Sequence, residues 1–372
     1  MFKKIILFSA VALGFVFSCK PAEVEKPDAR PDGYGTLNVE VMLPEAPSTK
    51  AVTAYTTEST YEKQVNKVQV FIFYSGGAQD GVLAKRVTGT TSTSYSTDLP
   101  AGTYNVYVQV NGADKTPANL SEFLAYTAAL TVNSTTASTG FLMLGNSSTT
   151  VTASGTNSCP VTVNRLLNRI CIKKITNGMP SSSITINRIW LANIVTTQNY
   201  ANNVNGSSRE WAHKFSRSSD FSSSIPAVPA NLISSFTASS LTSKTLSSSN
   251  TIAAGSNISS PASYLLYAYA NLKTASAAED TKAYTTGTSV VTQWTPTQTR
   301  LVVEATIGST KYYYPCDVSL IGKNQAHTVE LTISGPGLTD PQGDPSELSK
   351  QALAVSITVA GWGDGDEYEL SY

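Results

Sequence analysis

Two histidines, His213 and His327, four cysteines and an abundance of serine hold most of the chemistry open to these 372 residues. The histidines lie far apart in sequence, and each reads as structural. Cys159, Cys171 and Cys316 lack the short paired spacing of a zinc site. Outside the cytosol two of them can pair and leave one over; buried free thiols fit equally well. The stretch "GDGDE" brings Asp364, Asp366 and Glu367 together, but without the twelve-residue ligand spacing of a calcium loop, so it reads as an acidic turn. No HExxH, GxSxG or P-loop is present. Tyr312, Tyr313 and Tyr314 have faces that stack on sugars, yet strand alternation sends at least one of them into a core. The sequence therefore predicts no catalytic residue, no metal site, no cofactor and no enzyme.

Two other residues offer chemistry through their position, Cys19 and Lys50. Cys19 ends "MFKKIILFSAVALGFVFSC". Lys3 and Lys4 form a positive start, and Ile5 to Phe17 form an apolar run too short for a membrane span. This is the pattern of a signal peptide. Val16 and Ser18 ahead of Cys19 make a bacterial lipobox, with Phe17 bulkier than usual. Cleavage before Cys19 would leave a diacylated thiol on a membrane. The plainer reading is an ordinary signal peptide with an incidental cysteine. Residues 19–35, rich in Pro and charge, read as a disordered tether.

Lys50 is the one basic residue of "PEAPSTKAV", where Pro44 and Pro47 keep the chain extended and out of a sheet. A trypsin-like protease would cut between Lys50 and Ala51. The plainer reading is a solvated loop lysine. Arg30 is a rival site, but a cut there frees the lipid and nothing else. Just before the loop, "TLNVEVML" puts Leu37, Val39, Val41 and Leu43 on one face, with Asn38 and Glu40 on the other. A well-formed strand therefore ends at a cleavable loop.

The elements that must position these residues are strands. Apolar content is 41% and charged content only 14%, with 26 basic residues against 26 acidic ones. A neutral chain without a basic stripe does not suit nucleic acid. "VNKVQVFIFY" is apolar on both faces near its end and suits a central strand. Pro100-Ala101-Gly102 turns the chain into a regular strand with Tyr104, Val106, Val108 and Val110 inward. "PANLSEFLAYTAAL", 117–130, is the helix candidate, capped by Asn119 or Ser121. Arg165 and Arg169 are expected to snorkel or pair at an edge. Gly308-Ser309 reads as a hairpin turn. Many short strands without strand–helix alternation imply sandwiches.

Taken in order, several segments resemble the fimbrillins of Bacteroides-type bacteria, the subunits of type V pili. They are the lipobox and tether, "TLNVEVML…STKA", "VQVFIFYSGG", "GFLMLGNSSTTV", "VNRLLNRICIKKI" and "YLLYAYANL". "TRLVVEATIGSTKYYYPCDV", "HTVELTISGPGLTDP" and "VSITVAGW" complete the set. The resemblance implies an all-β chain of two transthyretin-like antiparallel sandwich domains, with a removable first strand and a C-terminal strand appendage. It implies passage to the outer membrane as a lipoprotein, held by lipid until maturation. It also implies cutting by an arginine- or lysine-specific protease and polymerisation with neighbouring pilin subunits, accessory and anchor subunits included, into a cell-surface fimbrium that supports adhesion. The boundaries so expected are a signal peptide 1–18, a tether 19–35, a first domain 36–154 (first strand 36–43, cleavage loop 44–51), a second domain 155–345 and a donor tail 346–372.

The residues add a reason of their own. Leu353, Val355, Ile357 and Val359 alternate as Leu37 to Leu43 do, over nearly the same length. A slot that takes one strand can take the other without changing which face is buried. Four buried side chains contribute about 6–12 kcal/mol, and fixing seven or eight backbone residues costs a similar amount. An emptied slot should therefore aggregate until another strand fills it. The tail also suits a closing strand of its own domain, with Trp362 in a pocket or at an edge. We take the donor reading, because Gly361, Gly363 and Gly365 suit an appendage. The alternative function is a tip or accessory subunit, or a non-polymerising surface lipoprotein adhesin that binds glycans.

Overall fold

The computed structural model describes residues 33–43, 59–89, 91–136, 138–201, 211–212, 239–246, 250–259, 264–271, 282–286, 289–294, 298–320, 322–339, 348, 352–362 and 367–371. Cys19, Lys50, Ala51, most of the tether and the loop 44–51 lie outside them.

The first half packs two sheets around one apolar core. Its strands are β1 (Tyr34–Met42), β2 (Val68–Tyr74), β3 (Leu83–Gly89), β4 (Ser94–Pro100) and β5 (Gly102–Val110), then β6 (Met143–Val151), β7 (Thr156–Thr162) and β8 (Asn164–Arg165). One sheet runs β4-β1-β7 and the other β3-β2-β5-β6-β8. Alternation decides which side chains meet: Leu37, Val39 and Val41 of β1 join Tyr95, Leu99, Cys159 and Val161 from their own sheet. Opposite them stand Val68, Val70, Ile72, Tyr104, Val106 and Val108. β2 is central, as its sequence predicts, lying between β3 and β5. Its second face carries Phe71 and Phe73 into a different cluster, shared with the second half.

The helix forms, but it is short. α1 spans Leu120–Ala125, and the Asn119 side chain accepts the Glu122 N–H at 2.9 Å. The expected continuation to residue 130 is replaced by a three-residue strand, Thr127–Ala129, paired with Thr197–Asn199. The ladder satisfies backbone groups that a longer helix would have used internally.

The second half again stacks two sheets. Its main strands are β9 (Leu167–Asn177), β10 (Ile184–Ala192), β11 (Leu265–Tyr269), β12 (Thr299–Ile307), β13 (Thr310–Val318), β14 (Gln325–Ile333), β15 (Leu353–Gly361) and β16 (Glu367–Ser371). One sheet runs from Asn257–Ile258 through β9, β14 and β15 to β16, with β11 also on β9. The other runs Ser243–Thr245, β10, β12, β13. Gly308, at φ 62°, turns β12 into β13 as the sequence predicts. Tyr314 is the buried member of the tyrosine run.

Two expectations need correction. Residues 155–165, expected in the second unit, carry ladders of the first half: β7 is the parallel partner of β1, and β8 pairs with β6. The ladders of the first half thus run on to Arg165. Arg165 and Arg169 do not snorkel: Arg165 lies on the end strand β8 but is fully buried, and Arg169 pairs with Glu62 away from solvent. Both are buried where the halves meet, because a buried carboxylate and a tryptophan face lie there to receive them.

Candidate functional site

β1 lies between two neighbours of opposite sense. It pairs antiparallel with β4 from Tyr34↔Pro100 to Glu40↔Ser94, and parallel with β7 from Thr36↔Thr156 to Met42↔Thr162. Leu37 and Val39 are fully buried, Val41 nearly so, and Leu43 packs against the same core from a half-buried position. The seat lies on Tyr95, Leu99, Cys159 and Val161. Its polar ties cluster at the start of the strand. Thr36 Oγ1 donates to Asp98 at 2.7 Å, Asn157 Nδ2 donates to the Thr36 carbonyl at 3.2 Å, and the Thr36 N–H donates to the Gly155 carbonyl at 2.8 Å. At Gly35 the seat narrows. A Cβ there would stand 2.1 Å from the Thr152 carbonyl oxygen and 2.8 Å from Val151 Cγ1.

The slot is chemically quiet. Burial pushes the Cys159 thiol up, although a hydrogen bond with Ser147 pulls it down. Burial, then Tyr74 and Tyr34, push the Tyr104 hydroxyl up to about 12. These groups stay neutral across the physiological range. Cys159, Cys171 and Cys316 are all free thiols, and all are buried.

Where the described chain resumes at Ser59, it is fastened to the body. Asn111 Nδ2 donates to the carbonyls of Gln64 and Phe141 at 2.7 and 3.0 Å, and its Oδ1 accepts the Asn66 N–H at 2.8 Å. The short 3-10 turn Thr60–Glu62 drives Glu62 into the junction of the halves. There the carboxylate meets Arg169 at 3.2 Å and accepts the Tyr267 hydroxyl at 2.7 Å and the Ser59 N–H. Burial pushes Glu62 above the ordinary carboxylate range, while Arg169, Tyr267, Ser59 and Arg165 pull it back.

The same junction holds the C-terminal segment. In the single chain β15 pairs with β14 along its whole length, Ile333↔Leu353 to Gln325↔Gly361, and β16 pairs with its other side. Val355, Ile357 and Val359 point into the core, and Leu353 packs on it half-buried. Trp362 is 2% exposed. Its ring stacks on Tyr267 at 5.9 Å, meets Phe141 edge-on at 6.0 Å and lies 4.5 Å from the Arg165 guanidinium. Asn324 binds its backbone on both sides, at 2.6 and 2.8 Å. Arg165 in turn donates to the Glu62 carbonyl at 2.6 Å. Sequence reasoning missed this junction. A glutamate in an unpatterned stretch and two arginines inside an apolar strand carried only a weak signal.

The family model of the major fimbrial subunit protein (FimA) matches residues 35–207, a stretch that begins inside β1 and takes in the whole first half. Over that stretch the chain is similar to the FimA fimbrial subunits. Solved structures agree in fold over nearly the whole chain. A candidate cell adhesion protein from Bacteroides eggerthii superposes with a TM-score of 0.57 at 16% identity, covering 90% of this chain and 98% of its own. A second candidate adhesion protein, from Parabacteroides distasonis, gives 0.56 at 15%, covering 90% and 100%. The fimbrilin of Porphyromonas gingivalis gives 0.53 at 14%, covering 89% and 98%. Among curated proteins, none matches the chain by sequence. A fimbrial subunit is a structural protein of the cell surface that associates with other fimbrial subunits, and it is not an enzyme.

Proposed function

We propose that this chain is a fimbrillin, exported as a lipoprotein through Cys19, cut after Lys50, and polymerised by strand exchange on the outer membrane. The cut releases residues up to 50, β1 among them. The vacated slot between β4 and β7 then takes the C-terminal tail of a neighbouring subunit, and head-to-tail repetition gives an open filament. Its partners are further copies, accessory and anchor subunits, a trypsin-like protease and, before maturation, the membrane.

One observation carries this reading. β1 is a central strand of its sheet, yet the chain that follows it is fastened independently from Ser59 onward by Glu62 and Asn111. A cut at Lys50 removes the covalent link to β1 and spares the anchors of the remaining body. Once β1 leaves, β4 and β7 both lack a ladder partner over an apolar trough, a state that favours capture of another strand.

The division of labour along the chain belongs to the same proposal: export segment 1–18, a tether from 19 to the start of β1 at Tyr34, a first unit that opens, a second unit, and a donor tail from 346. Donation requires β15 to leave β14. Its home seat buries the Trp362 indole N–H without a partner among the described residues, and such a group costs about 1–3 kcal/mol.

Purified precursor should be treated with trypsin, sequenced from its new N-terminus and examined by electron microscopy. Ala51 as the new terminus together with filaments is the expected result. Intact β1 within assembled filaments would overturn the reading, as would filaments from a chain that lacks residues 353–372.

A further inference from the structure

The slot that β1 fills is not a uniform trough, because one of its five inward positions refuses a side chain. From the start of β1 those positions hold Gly35, Leu37, Val39, Val41 and Leu43. At the first, a Cβ would overlap the Thr152 carbonyl oxygen at 2.1 Å and crowd the Gly155 carbonyl at 3.2 Å. Both are backbone atoms of the turn between β6 and β7, so no rotamer change relieves the contact. A strand that replaces β1 must bring a glycine to that place and apolar residues to the next four, two apart.

We propose that β15 of a second copy enters this slot with its direction reversed relative to β1, Gly361 standing where Gly35 stood. This deepens the strand-exchange reading above and rests on it. Read backward, the strand is Gly361, Val359, Ile357, Val355, Leu353. That is glycine followed by four apolar residues at the same spacing of two, and β15 spans Leu353–Gly361 in full. Read forward, no register works. Placing Leu353 at position 37 puts Gln351 at the pinch. Placing Gly361 at the pinch puts Gly363 and Gly365 in the next two apolar positions and leaves the slot empty. β16 fails in both directions. It is too short: Glu367–Ser371 brings only Tyr368 and Leu370 at a spacing of two, against the four apolar places to be filled.

The backbone does not choose between the directions. β1 runs antiparallel to β4 and parallel to β7. A reversed strand is parallel to β4 and antiparallel to β7, so the number of each kind of ladder is unchanged. The side chains decide the polarity, and Gly361 fixes the register. In that register Ile357 lies beside Cys159, Val355 beside Val161 and Val359 beside Asn157, each the β7 neighbour of the β1 residue it replaces.

Disulfide trapping in filaments of the full chain, cut after Lys50 and carrying Cys159→Ser, tests the arrangement. Asn157→Cys with Val359→Cys, and Val161→Cys with Val355→Cys, should each give a ladder of covalent oligomers on a non-reducing gel. The exchanged pairs, Asn157→Cys with Val355→Cys and Val161→Cys with Val359→Cys, should not. Gly361→Val should slow filament formation at least tenfold, while Gly363→Val should not, with circular dichroism of each uncut monomer as the check on folding. Filaments trapped by the exchanged pairs, or Gly361→Val filaments forming at the parent rate, would overturn the register and leave strand exchange standing. A parent chain that forms no filaments after the cut would overturn both.

Discussion

β1 and β15 share an alternation of apolar residues, a length and a place between two partners, yet they are held in different ways. β1 sits on an apolar trough with its polar ties gathered at Thr36. β15 ends in a cage of Tyr267, Phe141, Arg165 and Asn324, backed by the buried pair of Glu62 and Arg169. Burial of apolar area is non-directional, so a trough accepts any strand of the right shape. A cage of directional ring, cation and hydrogen-bond contacts is specific to its members. The first seat suits an exchangeable occupant, and the second suits a strand that stays until it is actively withdrawn.

The largest effect that should follow from this contrast lies at Glu62. Replacing it with Ala leaves Arg169 in the junction without its carboxylate, and breaking a buried pair in this way costs about 3–5 kcal/mol. Chemical denaturation of the uncut chain reads the loss. Hydrogen exchange locates it: protection should fall across 353–361 and hold across 34–42. Equal loss in both strands would erase the distinction drawn here.

Leu37→Ala should come next, at about 2–3 kcal/mol, from lost burial and the cavity left behind. The cost should appear only in the uncut chain, because the proposed cut removes residue 37 from the mature subunit. Ile357→Ala should weaken precursor and filament alike. A filament destabilised by Leu37→Ala would mean that β1 never left.

Much of this was legible in sequence, for a physical reason. Period-two alternation survives wherever a strand has one wet face and one dry face, so β1, β5 and β15 read directly. β2 read as central because both of its faces are apolar. The turn at Gly308 and the Asn119 cap were legible as local chemistry. The end of α1 was not, because Thr127–Ala129 is drawn off by a partner some seventy residues away. Nor was the placement of β7, since a parallel partner leaves no turn signal next to it in sequence. The cage around Trp362 was hidden for a similar reason: Glu62, Arg165, Tyr267 and Asn324 are scattered along the chain, and each looks ordinary where it stands.

Acid should loosen the β15 side more than the β1 side. His327 lies on β14 opposite Val359, and neither ring nitrogen has a partner among the described residues. Burial lowers its pKa to about 4 from an ordinary 6.5. Below about 6.5 the unfolded chain takes a proton that the folded chain refuses, so stability falls as the pH drops from about 6.5 toward about 4. Between pH 7 and pH 5.5 the loss should be about 1 kcal/mol. Glu62 acts with the opposite sign. Its raised carboxyl binds a proton in the folded chain before the unfolded one, so it offsets the loss as the pH nears the carboxylate range. Denaturation midpoints measured across this range should slope for the parent and run flatter for His327→Leu. Equal slopes would mean that His327 takes up its proton without opening the sheet.

The smallest effect should come from Thr36→Val. The Thr36 hydroxyl donates to Asp98 at the exposed start of β1. Water can replace that bond, so its loss should cost about 0.5 kcal/mol, the low end for an intramolecular hydrogen bond. Valine also suits a strand better than most residues, which offsets part of even that. Release of β1 after the cut, followed by the rate at which the fragment is lost, should therefore change less than twofold, whereas Leu37→Ala should speed it many-fold. A large acceleration by Thr36→Val would show that β1 is held by its polar end, and the seat would then resemble that of Trp362 more than a bare trough.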